Sequence, residues 1–176
     1  MATEPWRNPR PAPNLDEVRH RVPPHSAFLA LLRAWWPALV WSSLIFCAST
    51  DAFSSDHTSR IIVPVIHWLF PSMNAAGVEL LHHLIRKAAH FVEYFIFFLL
   101  LYRGIRGSRK GFHWSWAFLA WGIAAVYSLS DEFHQTFVES RGASILDSLL
   151  DSVAALVALL ALFVIYRYYR RVRSRL

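Results

Sequence analysis

The sequence is short of the residues on which several common protein chemistries depend. It has one cysteine, Cys47, among 176 residues, which excludes a disulfide within the chain and a cysteine-rich metal site. It has no HExxH motif, no GxSxG motif and no glycine-rich loop that would cradle a phosphate, which argues against a zincin, an α/β-hydrolase and a P-loop enzyme. It also has no nucleotide, haem or flavin signature, so any cofactor is left unassigned.

Charged residues are also few, and apolar residues dominate. Asp, Glu, Lys and Arg make up 17% of the chain and hydrophobic residues 55%, which is typical of a small helical membrane protein. Eight tryptophans and six tyrosines suit the interfaces of a bilayer, because their rings are apolar with a polar tip. The composition therefore predicts an all-α integral membrane protein.

Four apolar stretches are predicted to span the bilayer as a four-helix bundle. They lie at about residues 28–49, 87–102, 112–127 and 144–166. The apolar run at 61–70 is too short to span and is expected to lie in the interface, or to re-enter, within the first outer loop. Residues 75–85 are expected to continue as a helix into the second span.

The domain organisation follows from these spans. Residues 1–27 are predicted to be a flexible basic cytoplasmic tail, 28–166 the membrane domain, and 167–176 a second basic cytoplasmic tail.

The charge distribution predicts the topology independently. Fourteen of the eighteen Lys and Arg residues lie in the N-terminal segment through Arg33, the 103–110 loop and the C-terminal tail. With four spans these three segments share one side, and the positive-inside rule makes that side cytoplasmic, with both termini inside. The basic character is thus explained without nucleic acid, for which no binding motif is present.

The second span carries ionisable groups. At roughly 100° per residue, Lys87, His90, Glu93 and Tyr94 fall within about one third of the helix circumference. Counted back from Arg103, Glu93 lies ~15 Å and His90 ~20 Å into the span. Ionisable groups at such a depth are costly and normally face protein or water, so they mark a functional site.

The topology brings further polar residues to the same outer side. The polar end of span three, the link after it and the opening of span four contribute Asp131, Glu132, His134, Gln135, Arg141, Ser144, Asp147 and Asp151. The acids of this group outnumber Lys87 and Arg141, and buried carboxylates without a cation are expected to take up protons, bind a cation or open to water.

Carboxylates and histidines together suit general acid–base work. The candidate catalytic residues are Lys87, His90, Glu93, Glu132, His134 and Asp147. The candidate ligand-binding residues are Lys87, Tyr94, Asp131, Gln135, Arg141, Ser144 and Asp151. Ser49, Ser130 and Ser144 are interpreted as helix-end caps rather than nucleophiles.

The spacing of these residues resembles the VanZ-like family of small bacterial membrane proteins. The pattern is Lys87-x-x-His90-x-x-x-Tyr94, Glu132-x-His134-Gln135, Arg141 and Ser144-x-x-Asp147. It covers about residues 35–165, and Asp151 stands where the family often has Asn. The resemblance implies a multi-pass protein of the bacterial inner membrane with an extracytoplasmic envelope role, linked in the founding member to low-level teicoplanin resistance.

Several functions remain open at this point. We favour a pocket for a polar or anionic envelope lipid or cell-wall precursor, with Lys87 and Arg141 as the anion-binding groups. A non-catalytic accessory protein, in which ion pairs such as Lys87 with Glu93 or Asp147 and Arg141 with Glu132 orient the helices, is the alternative. A small transporter is a weaker one, since no inverted repeat is evident. An oligomer is compatible with all three.

A metal site is not assigned. His90 and Glu93, and likewise Asp131 and His134, are spaced i and i+3, as in carboxylate–histidine sites of helical bundles. However, the nearby cations Lys87 and Arg141 would repel a metal ion.

Overall fold

The computed structural model describes residues 24–50, 55–137 and 144–174, and these ranges are all-α, as predicted. The helices are α1 (Pro24–Ala48), α2 (Ser55–Leu69), α3 (Ala75–Arg106), α4 (Trp114–Gln135) and α5 (Ile145–Arg173). The predicted N-terminal tail lies almost wholly outside the described residues, and so does Arg141 of the predicted site.

Helix α3 is one continuous helix of 32 residues, which confirms that residues 75–85 run directly into the polar segment around His90. It begins where Asn74 accepts a hydrogen bond at Oδ1 from the backbone N–H of Gly77, 2.9 Å away, since asparagine is a favoured N-cap. The short apolar run at 61–70 belongs to the separate 15-residue helix α2, which contains Pro64.

Helix α3 packs against each of the other four helices, and α4 also packs against α5. The core is built from large side chains of α3, such as Phe97, Phe98 and Leu101, and from small side chains of its neighbours. The fully buried alanines are Ala117, Ala120, Ala124, Ala154, Ala155 and Ala158. Small residues let helix backbones approach closely, as is common in membrane bundles.

Two of the described helices are long and apolar enough to cross a membrane, namely 28–48 in α1 and 145–173 in α5. Much of the surface is apolar as well: Val126 and Phe133 on α4 are 67% and 66% exposed, and Leu146 on α5 is 72% exposed. Cys47 belongs to this exposed surface. Large exposed apolar areas are unusual on a soluble monomer and fit contact with lipid.

Polar and basic side chains occupy opposite ends of the packed helices. The end of α1, the polar segment of α3, the end of α4 and the start of α5 meet at one end through hydrogen bonds and ion pairs. At the other end the guanidinium of Arg103 donates to the carbonyls of Ala34 and Arg33, at 3.0 and 3.1 Å. The fold thus places most of the predicted site residues that the structure describes at a single end.

Candidate functional site

Most of the buried polar side chains lie together where α1, α3, α4 and α5 meet. We call this group the polar cluster. Its members are Ser49, Lys87, His90, Ser128, Asp131, Glu132, Gln135, Ser144, Asp147, Ser148 and Asp151. Buried His82 lies elsewhere, in the early part of α3 beside Arg86, where burial lowers its pKa and favours the neutral ring.

Asp131 on α4 is buried and hydrogen-bonded on both oxygens. The hydroxyl of Ser49, just after α1, lies within donor distance of Asp131 Oδ1 and of the carbonyl of Ile45, the latter at 3.0 Å. Gln135 Nε2 donates to Asp131 Oδ2 at 3.1 Å. A hydroxyl has one proton, so Ser49 can donate to the carbonyl of Ile45 or to Asp131, but not to both at once. Both contacts are hydrogen bonds when Asp131 is protonated and donates to the Ser49 oxygen.

Asp151 on α5 is fully buried and is shared between α4 and α3. Ser128 Oγ donates to Asp151 Oδ2 at 2.8 Å and lies 3.1 Å from Ser148 Oγ. On the other side, His90 Nδ1 lies 3.6 Å from Asp151 Oδ1. An imidazole facing a carboxylate can store and release a proton, which is the arrangement that general acid–base catalysis uses.

Lys87 and Asp147 form an ion pair between α3 and α5, one of the pairs proposed from the sequence. Their side chains are 31% and 25% exposed, so the pair lies at the edge of the polar cluster. The ammonium group of Lys87 thus pairs with Asp147, the most exposed acid of the cluster. The deeper Asp131 and Asp151 contact hydroxyl, amide and imidazole groups instead.

Glu132 joins α4 to the start of α5. Its Oε2 accepts a hydrogen bond of 2.7 Å from the backbone N–H of Ser144. A carboxylate at a helix N-terminus is favourable there, because unpaired N–H groups and the helix dipole attract negative charge.

The cap interpretation of the three serines is only partly right. Ser144 occupies the N-cap position of α5, but its side chain makes no capping hydrogen bond. Ser130 lies inside α4 and donates to the carbonyl of Tyr127. Ser49 does bond a carbonyl at the end of α1, as a cap would, and it also reaches Asp131.

Tyr94 lies beneath the polar cluster and is fully buried. Its hydroxyl is within electrostatic range of Asp131 and Asp151, and its ring packs edge-to-face on Phe97. Tyr94 therefore separates the polar cluster from the apolar core of α3.

Glu93 and His90 line a cavity of about 160 Å³ between the end of α1, α2 and α3. Ser49, Thr58 and Arg86 line it as well, and Arg86 Nη1 donates to Thr58 Oγ1 at 3.3 Å. Sequence reasoning did not single out Arg86 or Thr58. The signal for Arg86 was its spacing, four residues before His90, which places both on one helix face.

His134, a predicted catalytic residue, does not belong to the polar cluster. Its ring is half-buried and packs against Phe46 on α1, with ring centroids 4.8 Å apart, and its Nδ1 has no hydrogen-bond partner among the described residues. Within those residues, no three His, Cys, Asp or Glu side chains are grouped so that they could hold a metal ion.

The comparisons with known proteins agree with the sequence pattern. The family model described as VanZ/LLP1 matches residues 34–166, a stretch that contains the whole polar cluster and the cavity. No curated protein and no solved structure shows a significant match to the chain.

Proposed function

Because this chain belongs to the VanZ/LLP1 family, as the match over most of its length shows, we propose a specific task for its polar cluster. The cluster binds the polar or anionic head group of an envelope lipid or cell-wall precursor and exchanges protons with it. The protein is a VanZ-like membrane protein. In this proposal it spans the bacterial inner membrane four times, with both termini inside and the polar cluster toward the outer face.

The membrane placement is supported by what the helices expose. Helix α4 packs against α3 and α5 and carries exposed apolar side chains such as Leu119 and Val126. The basic residues Arg103 and Arg106 end α3, at the end opposite the polar cluster. Basic residues favour the cytoplasmic side, which leaves the polar cluster outside.

One observation carries the chemical proposal: two residues face both the cavity and a buried aspartate. His90 lines the cavity and lies beside Asp151, and Ser49 lines the cavity and contacts Asp131. A proton held by either aspartate therefore has a neighbouring group at the cavity wall. Such a route is a requirement for acid–base work on a ligand that remains outside the bundle core.

The cavity also has the means to hold an anion. Arg86 is half-buried at its wall, and a guanidinium binds phosphate or carboxylate through two parallel N–H groups. A volume of about 160 Å³ has room for roughly five water-sized groups at about 30 Å³ each. That suits a head group and not a whole lipid, whose chains would remain in the bilayer beside α1 and α2.

The experiment compares cells that express the wild type, His90→Gln or His83→Gln at matched membrane abundance. His83 is exposed on the same helix, so it is a control for loss of a histidine. Envelope lipids and wall precursors are measured by mass spectrometry, together with glycopeptide susceptibility. The wild type and His83→Gln should alter the same species, and His90→Gln should not. Equal profiles for all three would overturn the proposal.

A structural, accessory role is the second candidate. It is favoured by the fact that the contacts Ser49–Asp131, Lys87–Asp147 and Ser128–Asp151 join α1, α3, α4 and α5. Buried polar contacts of this kind can fix helix packing. In that case His90→Gln lowers membrane abundance or thermal stability and changes no lipid or precursor species at matched abundance.

A further inference from the structure

We propose a second binding site at the opposite end of the molecule: a cavity between α1 and the end of α3 that binds the head group of an anionic phospholipid. The cavity has a volume of about 870 Å³. Four arginines line it, Arg33 on α1 and Arg103, Arg106 and Arg109 at and after the end of α3. This site rests on the membrane placement proposed above and is independent of the chemistry of the polar cluster.

Among the described residues, the charge around the cavity is of one sign. In the described helices, the carboxylates lie in α2, in α3 up to Glu93, in the last two turns of α4 and in the first two turns of α5. All of them are thus toward the end that holds the polar cluster. No described carboxylate neutralises the four arginines, so an anion has to come from outside the described chain.

Two of the arginines are fixed in place by backbone carbonyls. Arg103 donates to the carbonyls of Ala34 and Arg33. Arg109 donates to the carbonyl of Arg106 at 3.1 Å and also to that of Ile105, and its guanidinium lies 4.4 Å from the centre of the Trp116 ring. Carbonyl oxygens orient a guanidinium without cancelling its charge. The site is therefore pre-organised, which lowers the entropic cost of binding.

Arg33 and Arg106 complete the site. Both are exposed, and neither forms an ion pair with another described residue. They lie on the two helices that Arg103 ties together, so their charges border the same cavity. Two guanidinium groups that form no ion pair with the described residues, beside two fixed ones, suit a phosphate group, which accepts bidentate hydrogen bonds.

The apolar side of the cavity suits the rest of a lipid. Trp35 and Leu31 line it, and Leu31 is 58% exposed. Trp35 packs directly on Gly104, where a Cβ would lie 3.0 Å from the ring. A basic pocket between helix ends on the cytoplasmic side, with an apolar wall beside it, is a typical site for anionic phospholipid head groups. A soluble phosphate compound would not need the exposed leucine.

The test measures lipid retained by the purified full-length protein, using native mass spectrometry after incubation with phosphatidylglycerol or phosphatidylcholine. The variant Arg33→Gln/Arg106→Gln removes two charges that no described carboxylate pairs with, and it leaves the bonds of Arg103 and Arg109 intact. The control Arg170→Gln/Arg171→Gln removes the same charge from exposed positions at the end of α5, which do not line the cavity.

We expect the wild type and the control to retain phosphatidylglycerol over phosphatidylcholine, and Arg33→Gln/Arg106→Gln to retain roughly tenfold less of it. Equal loss in both variants would mean that only net charge matters and would overturn the site. So would equal retention of the two lipids by the wild type. Added inorganic phosphate should not displace the lipid at millimolar concentration; displacement would point to a soluble anion. None of these outcomes depends on the polar cluster, so the two proposals fail separately.

Discussion

His90 on α3 and Asp151 on α5 face one another across the bundle, with Nδ1 and Oδ1 separated by 3.6 Å. Asp151 is fully buried and is 61 positions further along the chain than His90. This relationship joins the cavity, which His90 lines, to the most deeply buried acid of the polar cluster.

Ser128→Ala should destabilise the protein through Asp151. The change removes the hydroxyl that donates to Asp151 Oδ2 at 2.8 Å and leaves a buried acceptor without that partner, at a cost of about 1–3 kcal/mol. Ser130→Ala is the matched control, because Ser130 is exposed and bonds only a carbonyl of its own helix. Thermal unfolding in detergent should show a lower midpoint for Ser128→Ala alone. Equal midpoints would contradict the assigned hydrogen bond.

Gly104→Ala should also destabilise the protein, although the same change at Gly122 should not. A Cβ at residue 104 would lie 3.0–3.2 Å from three atoms of the Trp35 ring, whereas at residue 122 nothing lies within 4 Å. Overpacking costs about 1–3 kcal/mol, and alanine in an open helical position is favoured by about 0.5–1 kcal/mol over glycine. The two variants should therefore shift the thermal midpoint in opposite directions. A shared direction would refute the close approach of α1 and α3.

The Lys87–Asp147 ion pair should contribute little to stability. Both side chains are about a quarter to a third exposed, and pairs that water reaches are worth about 0–1 kcal/mol. A double-mutant cycle with Lys87→Met and Asp147→Asn measures the coupling directly. A coupling well above that range would show a pair far better shielded than its exposure indicates.

Cysteine labelling tests the orientation. With Cys47→Ser as background, Ser72→Cys lies in the exposed turn between α2 and α3, and Ser108→Cys lies in the exposed loop after α3. A membrane-impermeant maleimide should label residue 72 in cells with a permeabilised outer barrier and an intact inner membrane. Residue 108 should react only after lysis. The reverse pattern would place the polar cluster in the cytoplasm and contradict the proposed topology.

The sequence predicted the all-α class and part of the polar cluster, but it left open which of those residues contact one another. Helical spacing shows which residues of one helix share a face, and on that basis Lys87, His90, Glu93 and Tyr94 were grouped. It does not fix the rotation or the axial register of one helix against another. For this reason the sequence allowed two partners for Lys87, namely Glu93 and Asp147. The structure pairs Lys87 with Asp147.

Ser49, which the sequence suggested as a helix-end cap, and Arg86, which it did not single out, illustrate the same point. Ser49 contacts Asp131, which is 82 positions away, and no local spacing links them. Arg86 follows His82 and precedes His90 by one helical turn each, and its guanidinium contacts Thr58 of α2. The short helix α2 completes the cavity wall through Thr58, and only its docking on α3 shows that Arg86 belongs to the site.

The central claim is that the polar cluster acts chemically on a head group, and Asp151→Asn tests it most directly. Asparagine keeps the size of the side chain and an acceptor for Ser128 but cannot exchange a proton with His90. Glu79→Gln, at an exposed acid of α3, is the control. The measurement is the abundance of the envelope lipid or wall precursor that the wild type alters, in cells with equal amounts of protein. We predict that Asp151→Asn lowers the rate of that change by at least about 10²-fold while Glu79→Gln retains it. A wild-type rate in Asp151→Asn would contradict the account and leave the polar cluster with a structural role.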